Sequence, residues 1–557
     1  MTQFIIANMA PIMFASLIAF MLVGYPVSFS LAANGLIFGL LGIQLGLFQP
    51  AFLQALPDRV LDVMRNEVLL AIPFFTFMGL ILERSRMAED LLDTMGQLFG
   101  PVRGGLAYAV IFVGALMAAT TGVVAAAIIS MGLISLPIML RYGYDQRIAS
   151  GVIMASGTLA QIIPPSLVLI VVADVLGVSV GDMYAGAMIP GLILAASFAL
   201  FIFVVTLFNP NLAPPLPLEA RTLGSGITSL FMVIAVAVAV TVGVTWYLTA
   251  PGRQAPEVFG AAAGVVVAYL IALANKRLNL NLLSRLATQV IMVLVPPLAL
   301  IFLVLGTIFI GLATPTEGGA MGAAGAVVLA AINRRLDFKT IKSATEGTLK
   351  LSAFVMFILI GARVFALTFY GVDGNIWVKN LLLGLPGGQI GFLLFVNLVV
   401  FFLGFFIDFF EICFILLPLI IAPAQALGID LVWLGVLLGV NLQTSFLTPP
   451  FGFALFYLRS VAPKADYVDK VTGKLIPGIS TTTIYKGAVP FIAVQSVMVF
   501  IVFFFPGIVT HYRDVGVKLD AGQVQQQLDN IVVPGIGGPG GMPGSPSFDM
   551  PPPPSFR

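Results

Sequence analysis

Two of the double prolines that stand inside long apolar segments mark the places where this chain carries residues for ligand chemistry. Pro164–Pro165 lies in the first half and Pro449–Pro450 in the second half. Proline has no backbone N–H and clashes with the preceding helical turn, so a helix cannot run straight through either pair. Backbone groups that such a break leaves free bind ions and anionic groups inside membranes. The pattern predicts one broken helix, with a proline hinge, in each half.

Hydroxyl and amide side chains near the two breaks, together with one arginine, are candidates for substrate binding. The fixed fork of donors on Arg363 suits a carboxylate, and the small polar side chains offer neutral hydrogen-bonding groups. The alternative for the small residues is packing between helices, and the alternative for Arg363 is an ion pair with Asp408 or Glu411. The substrate-binding candidates are Arg363, Ser156, Thr158, Asn441 and Thr444.

Asp408 and Glu411 lie in an apolar run, where an ionisable side chain costs at least ~2.5–3.5 kcal/mol and therefore suggests a function. At a spacing of three they share one helix face. They bind a cation, carry a proton or neutralise Arg363, and the sequence leaves the three roles open. Hard cations prefer oxygen ligands. The ion-binding candidates are Asp408, Gly157, Thr316, Thr448 and Gly361.

Covalent and metal chemistry have few residues available. The chain has one cysteine, Cys413, and one histidine, His511, so a zinc site, a Cys–His pair and a Ser–His pair are close to excluded. The sequence has no G-x-x-x-x-G-K-[ST] phosphate loop, so ATP hydrolysis by that route is not expected. We predict no catalytic residue and no metal other than Na⁺.

The elements that position these residues are membrane helices. Hydrophobic residues make up 59% of the 557 residues and charged residues 9%, whereas soluble domains have about 25% charged residues. The composition predicts an all-α polytopic membrane protein. Runs at 105–140 and 381–421 are too long for one straight helix, and shorter runs at 67–83 and 351–371 are predicted to be re-entrant. Spans of roughly 20 apolar residues are predicted near 4–23, 27–47, 105–140, 147–176, 182–208, 226–250, 257–274, 288–312, 314–332, 381–421, 429–458 and 487–509.

Lysine and arginine in the short loops predict the orientation. Basic residues at 141–147, 276–285, 334–350 and 459–486 fall on one side if the spans are right, and we assign that side to the cytoplasm. The loop 48–104 then lies outside although it also contains arginines, and the N-terminus lies outside as well.

Ordered sequence anchors recur in the two halves. Gly24–Val27 corresponds to Thr314–Glu317, and the Leu-Pro pair at 136–137 corresponds to the pair at 417–418. An odd number of spans separates the two openings, so the halves are predicted to be inverted repeats, which suits alternating access around a midplane site. The alternative is that Gly and Pro recur by chance in a glycine-rich chain.

These motifs resemble the large membrane (permease) subunit of TRAP (tripartite ATP-independent periplasmic) transporters, in a long form. The resemblance covers about 5–208 and 288–509. Two departures are Gly122-Val123-Val124, where many members have Gly-Ser-Ser, and the inserted spans at 226–274. The matching stretches are Gly24–Val27, Leu70–Phe75, Ser156–Leu159, Ile163–Ser166, Ala185–Gly186, Pro190–Gly191, Thr314–Glu317 and Leu447–Pro450.

The resemblance implies an elevator-type secondary transporter of the ion-transporter superfamily, with two re-entrant hairpins and two broken helices. It implies import of a small organic acid with Na⁺ as the coupling ion and no other cofactor, across a bacterial inner membrane. The implied partners are a small four-helix membrane subunit, a periplasmic substrate-binding protein and membrane lipid, without nucleic acid. The long form is associated with less typical substrates, so a C4-dicarboxylate is not assumed.

The chain then divides into five parts. They are a first inverted repeat with an N-terminal helix (1–208, hairpin about 67–92, broken helix 147–176), a linker with two inserted helices (209–287), a second inverted repeat (288–460, hairpin about 351–380, broken helix 429–458), a loop and C-terminal helix (461–510), and a disordered Pro/Gly-rich tail (511–557).

Three other functions remain open from the sequence. An H⁺-coupled organic anion transporter that works without a binding protein would use Asp408 and Glu411 as proton carriers. An intramembrane enzyme would need a nucleophile–base pair or a metal cluster, and the sequence offers only those two paired carboxylates. A passive channel is disfavoured by the inverted broken helices.

Overall fold

Helices make up nearly all the regular structure of a computed structural model that describes residues 2–224, 226–249 and 256–512. Within these ranges nine helices are long and apolar enough to cross a membrane, or up to twelve spans if each bent helix pair counts as one. The prediction of an all-α polytopic membrane protein is confirmed at this level. Residues up to His511 form one unit, and the predicted disordered tail lies, from residue 513 onward, outside the described residues.

The helices and strands follow each other in one long series, interrupted by short 3-10 turns. They are α1 (Thr2–Ala7), α2 (Met9–Leu22), α3 (Val27–Gln44), α4 (Leu56–Met64), α5 (Ala71–Arg84), α6 (Met87–Phe99), α7 (Gly105–Thr121), α8 (Val124–Arg141), α9 (Gln146–Thr158), α10 (Leu167–Leu176), α11 (Val180–Phe208), α12 (Ile227–Thr249), α13 (Pro256–Leu278), α14 (Arg285–Phe309), α15 (Pro315–Ile332), α16 (Phe338–Gly371), α17 (Gly374–Leu383), α18 (Gly388–Leu403), α19 (Phe409–Ile415), α20 (Leu417–Ala426), α21 (Leu431–Leu447), α22 (Phe453–Val461), β1 (Tyr467–Val468), β2 (Leu475–Ile476), α23 (Thr481–Phe504) and α24 (Gly507–Thr510).

The double prolines at 164–165 and 449–450 interrupt helices, whereas α14 continues through a third pair, Pro296–Pro297. In the first break, α9 ends at Thr158, a 3-10 turn follows at Leu159–Gln161, and α10 begins only at Leu167. In the second break, α21 ends at Leu447 and α22 begins at Phe453. The missing N–H groups and the proline rings prevent either helix from continuing. We call residues 159–166 break 1 and residues 448–452 break 2.

Two helical hairpins accompany the breaks, and they lie elsewhere than predicted. Hairpin 1 consists of α7 and α8, which turn at Gly122 with a φ of +59°, a conformation that glycine adopts without strain. Hairpin 2 consists of α18 and the bent pair α19–α20. These are the two overlong runs at 105–140 and 381–421. The stretches predicted as hairpins, 67–92 and 351–380, are not the ones whose tips meet the breaks, and α16 runs through 351–371 without re-entering.

The second of those predictions failed because α16 continues without a break to Gly371. The stretch 351–371 contains no proline, and the glycine inside it, Gly361, packs against the Ser28 carbonyl of α3. In the other stretch the chain forms α5 and α6 with a turn at Arg86, whose φ is +57°. The tips that contact the breaks belong to hairpins 1 and 2, each of which follows one of these two stretches in the sequence.

Hairpin 1 also corrects the predicted side of the loop 48–104. The Leu106 N–H donates to the Tyr144 hydroxyl (3.0 Å), so both ends of the hairpin lie together. The Arg84 guanidinium donates to the hydroxyl of Ser343, and Arg335 pairs with Asp90 (2.7 Å). The stretch 84–104 therefore lies at the end of the molecule that carries the basic loops 141–147 and 334–343. The prediction placed it at the other end because it counted hairpin 1 as one complete span.

The helices form two groups that pack differently. The core group contains α7–α11 and α18–α23, in which α9 packs against α7, α8 and α23, and α21 packs against α18, α10 and α23. In the flanking group α3 packs against α16, and α5 packs against α15. The inserted helices α12 and α13 pack against each other and against α14. This arrangement places both breaks inside the core group.

Candidate functional site

Each hairpin meets the broken helix of its own half through a glycine and a serine. A Cβ on Gly114 of α7 would lie 2.5 Å from the Cβ of Ser156 on α9. A Cβ on Gly404, directly after α18, would lie 2.9 Å from the Cβ of Ser445 on α21 and would overlap its hydroxyl. Real Cβ atoms do not approach other atoms so closely, so only glycine fits at either position.

The hairpin tips reach the breaks themselves. At the tip of hairpin 1, a Cβ on Gly122 would lie 2.9 Å from Leu167, the first residue of α10. At hairpin 2, the ring of Phe406 lies 5.2 Å from the ring of Phe451 in break 2. The halves also interlock, because α8 packs against α22 and α10 packs against α19 and α20. Tips and breaks from both halves therefore meet inside one body.

The three predicted residues at the end of α9 are fully buried and point to different neighbours. The Ser156 hydroxyl faces α7 and donates to the Ile153 carbonyl (3.0 Å). Gly157 packs against Ile128 of α8. Thr158 donates to the Ala155 carbonyl (2.9 Å) and accepts a hydrogen bond from the Gln495 amide of α23 (3.0 Å).

Of the predicted residues at break 2, Asn441 and Thr444 of α21 are buried, and Thr448, in break 2 itself, is half-buried. The Asn441 amide donates to the Asn397 carbonyl of α18 (2.7 Å). The Thr444 hydroxyl donates to the Val440 carbonyl (3.3 Å), and the Thr448 hydroxyl donates to the Thr444 carbonyl (2.7 Å). Each hydroxyl oxygen keeps lone pairs that these bonds do not use. Asn441, Thr444 and Thr448 thus lie in the same body as Ser156, Gly157 and Thr158.

Three other predicted residues lie in the flanking group instead. Arg363 is exposed on α16, a helix that packs against α19. Gly361 packs against α3, as described above, with no space at its Cα for a ligand. The Thr316 hydroxyl, at the start of α15, donates to the Glu67 carbonyl (2.7 Å). Packing and this hydrogen bond account for Gly361 and Thr316 without a cation.

Asp408 and Glu411 are half-buried at the start of α19. The Glu411 carboxylate accepts a hydrogen bond from the Asp408 backbone N–H (3.0 Å), an interaction typical of an acidic residue in the first turn of a helix. Among the described residues no ion pair joins either carboxylate to Arg363. The structural pair considered from the sequence is therefore not formed in this structure.

Amide side chains complete the polar interior of the core. Gln161 in break 1 and Gln443 in α21 are at most 1% exposed, and neither amide group has a hydrogen-bond partner among the described residues. Asn397 and Gln495, which contact predicted site residues, were not singled out from the sequence. Both could have been found from the sequence, because each has an amide side chain in an otherwise apolar span, where an unpaired polar group is costly.

Outside the membrane-spanning segments, one ion pair fastens hairpin 1 to the loop between α22 and α23. The guanidinium of Arg141, at the end of α8, pairs with the Asp469 carboxylate (3.0 Å). The Thr472 hydroxyl (2.6 Å) and backbone N–H (2.8 Å) donate to the same carboxylate. The Thr472 hydroxyl first, and then its N–H and Arg141, lower the pKa of Asp469 to about 2.

Comparison with known proteins identifies the family of this chain. The family model "Tripartite ATP-independent periplasmic transporter, DctM component" matches residues 14–291 and 280–508. The C4-dicarboxylate TRAP transporter large permease protein DctM of Pseudomonas aeruginosa is 28% identical over 467 residues, which are 83% of this chain and 90% of that protein. The DctM protein of Vibrio cholerae is 26% identical over 524 residues, or 90% of this chain and 96% of that protein.

A third relative has a different named substrate. The ectoine TRAP transporter large permease protein TeaC of Halomonas elongata is 24% identical over 515 residues, which are 92% of this chain and 100% of that protein. All three relatives are named as permease proteins of transporters and not as enzymes. Because the family match covers most of the chain, the predicted resemblance is confirmed: this chain belongs to the tripartite ATP-independent periplasmic transporters, as their DctM component.

Proposed function

We propose that this permease subunit imports a small organic acid across a bacterial inner membrane and couples that import to the inward movement of Na⁺. The observation that carries the proposal is the meeting of two hairpin tips with two broken helices inside one body. A broken helix leaves carbonyl groups free for a cation and N–H groups free for a carboxylate. Both kinds of ligand are therefore available where the halves meet.

The proposed ligands divide between the ion and the acid. Asp408, Thr448 and the backbone at Gly157 supply oxygen atoms for Na⁺. Ser156, Thr158, Asn441 and Thr444 bind the acid, and Arg363 attracts its carboxylate from α16. The unpaired amides of Gln161 and Gln443 support a ligand in this region, because a buried polar group without a partner costs roughly 1–3 kcal/mol.

We also propose that the core group moves as an elevator relative to the flanking group, with the two halves as inverted repeats. The helix directions support this. Thr316 of α15 contacts Glu67, just before α5, and Ser343 of α16 contacts Arg84, the last residue of α5. The helices α15 and α16 therefore begin at opposite ends of α5. Hairpin 1 enters the core from the Arg84 end, and hairpin 2 enters beside α17 from the other end.

The acid and the partners are proposed from the family and its named members. The relatives named for C4-dicarboxylates and for ectoine support a small solute with a carboxylate. The family description supports a three-part assembly, for which we propose a small four-helix membrane subunit and a periplasmic substrate-binding protein. We propose no cofactor other than the coupling ion. Differential binding of the ion to the outward and inward states would then drive accumulation.

Coupling to H⁺ is the second candidate, and the chemistry of hairpin 2 favours it. Asp408 and Glu411 are carboxylates without an ion-pair partner among the described residues, in a segment where a charge is costly. A carboxyl group is also the side chain here that can carry a proton instead of binding a cation. The two candidates differ in whether uptake follows the gradient of Na⁺ or that of H⁺.

Uptake of labelled organic acids into proteoliposomes that contain this subunit and its small subunit tests both candidates. An inward Na⁺ gradient is imposed with and without the binding protein, and choline replaces Na⁺ in the control. Saturable uptake that needs both Na⁺ and the binding protein supports the proposal. Uptake that follows a proton gradient in choline would replace Na⁺ by H⁺, and the absence of any saturable uptake across the panel would contradict organic acid import.

A further inference from the structure

Two tyrosines hold backbone carbonyls of the two breaks, and they occupy equivalent places in the two halves. Tyr184 is the fifth residue of α11, and Tyr485 is the fifth residue of α23. Each is the next helix along the chain after the second part of a broken helix, and each begins after a capping serine, Ser179 or Ser480. The sequence spacing from serine to tyrosine is therefore the same in both halves.

The two hydroxyl groups donate to their own breaks. The Tyr485 hydroxyl donates to the Pro450 carbonyl of break 2 at 2.9 Å. The Tyr184 hydroxyl lies 3.4 Å from the Ser166 carbonyl of break 1, which is long for a bond between two oxygen atoms. The Ser166 carbonyl also accepts the Ile170 N–H (3.2 Å). For the Pro450 carbonyl, the described residues provide no other donor than Tyr485.

We infer that Tyr485 is a positioning residue for the coupling cation, and that Tyr184 is its weaker counterpart. The peptide units of break 2 belong to no helix, and neither Pro449 nor Pro450 has an N–H through which another group could hold it. The hydroxyl of Tyr485 fixes the peptide that carries the Pro450 carbonyl. That peptide lies two residues from Thr448, so its orientation determines which oxygen atoms of break 2 face a bound cation. This inference rests on the proposed Na⁺ coupling.

The substitution Tyr485→Phe removes the hydroxyl and leaves the ring in place. We expect the Na⁺ concentration for half-maximal uptake to rise about 2- to 10-fold, the effect of one net hydrogen bond, while the maximal rate at saturating Na⁺ stays close to that of the wild type. Tyr184→Phe should change the half-saturating concentration less, because Ser166 keeps its bond from Ile170. Tyr247→Phe, an exposed tyrosine of the inserted helix α12, is the matched control.

A second measurement separates this inference from the proposed function. Thermal unfolding of the detergent-solubilised protein is recorded in NaCl and in choline chloride at equal ionic strength, which reports binding without transport. If the wild type gains no stability specifically from Na⁺ and shows no Na⁺-driven uptake, the proposed coupling fails and the inference fails with it. If the wild type responds to Na⁺ and Tyr485→Phe responds at the same concentrations, only the inference is overturned. Loss of maximal rate with an unchanged half-saturating concentration would also overturn it, because that is the result of a purely structural anchor.

Discussion

The two hairpins share one backbone plan and differ in the chemistry of their tips and bases. The tip of hairpin 1 is Gly122 and Val123, an apolar turn, and its base is fastened by the Arg141–Asp469 ion pair. The tip of hairpin 2 spans Gly404 to Asp408, with Glu411 one turn further on. The repeated backbone thus provides the breaks and tips, whereas carboxylates are present in only one of the two tips.

Each half thus has a hairpin and a broken helix, but the two hairpin tips do not offer the same groups to a ligand. A cation held between the halves would receive backbone oxygens from both breaks but a carboxylate only from hairpin 2. Hairpin 1 would then act as the apolar wall of the site, fixed at its base. Four sets of substitutions test this difference, and their expected effects decrease from the first to the last.

The largest effect is expected where the hairpins are alike, at the contacts Gly114–Ser156 and Gly404–Ser445. Gly404→Val would force branched carbon atoms into the Ser445 side chain, and overpacking of this kind costs about 1–3 kcal/mol or more. We expect uptake to fall to background in proteoliposomes, and Gly114→Val to do the same. Equal losses would show that uptake requires close packing of both hairpins against their broken helices.

A compensating change tests whether the contact itself is responsible. Gly404→Ala combined with Ser445→Gly removes the overlapping atoms and should recover much of the uptake that Gly404→Ala loses. The same pair of changes at Gly114 and Ser156 is the corresponding experiment in the other half, where loss of the Ser156 hydroxyl, a proposed ligand of the acid, should make the rescue smaller. Failure of rescue in both halves would mean that the glycines are required for a reason other than these contacts.

The second effect separates the hairpins. Asp408→Asn removes the charge from the tip of hairpin 2, and we expect the half-saturating Na⁺ concentration to rise roughly tenfold or more, since an interaction with a charged group contributes about 1.5–3 kcal/mol. Glu411→Gln should change it less, because an amide oxygen still accepts the Asp408 N–H. Uptake as a function of Na⁺ measures both. An unchanged Na⁺ dependence in Asp408→Asn would remove the carboxylate from the cation site.

The breaks were predictable from the sequence because proline acts on the backbone through its own ring and its missing donor. Pro164–Pro165 and Pro449–Pro450 interrupt their helices in this way, but α14 continues through Pro296–Pro297, so the polar residues beside the first two pairs were the more specific signal. The small polar residues beside them were predicted as a cluster for the same local reason. Their burial in one body, by contrast, depends on the packing of α9 and α21 against the other core helices.

The hairpins were not predictable by the same reasoning. The turn of hairpin 1 needs only Gly122, and a single glycine in a glycine-rich chain gives little signal. The useful signal was length, because 105–140 and 381–421 exceed one span. Arg363, Gly361 and Thr316 were grouped with the core residues by type and apolar surroundings, whereas tertiary packing places them on α15 and α16. The chemical type of a residue can be read from the sequence alone. The group of helices in which it packs depends on the tertiary structure.

The third effect concerns the base of hairpin 1. Asp469 has a pKa lowered to about 2 in the folded protein, against about 3.9 in an unfolded chain. Its contribution to stability is therefore present above about pH 4 and is lost as the pH falls towards 2. We expect Asp469→Asn to lower the unfolding temperature by the same amount from pH 5 to pH 8, and the difference from the wild type to shrink below pH 4.

Uptake should be affected less than stability in this variant, since the ion pair lies at the base and not at the tip. Arg141→Gln removes the partner and is the matched variant; it should show a smaller pH dependence because the Thr472 bonds to Asp469 remain. A difference between Asp469→Asn and wild type that grows below pH 4 would contradict the assigned role of the carboxylate.

The smallest effect is expected at the opposite end of the molecule, at a polar contact between the flanking group and the core. The Asn66 amide donates to both oxygen atoms of Asp174 at the end of α10 (3.0 and 3.1 Å). The base of hairpin 1 is tied within the core, whereas this contact must break if the core moves past the flanking helices.

Asn66→Asp places a like charge there while keeping an oxygen for the Val68 N–H. Partly exposed pairs contribute about 0.2–1 kcal/mol, so we expect the uptake rate to change by less than roughly fivefold. Adding Asp174→Asn should restore the wild-type rate, because a hydrogen bond is possible again. If the double variant behaves as the sum of the single variants, the contact does not take part in the movement, and the core and flanking groups separate without regard to it.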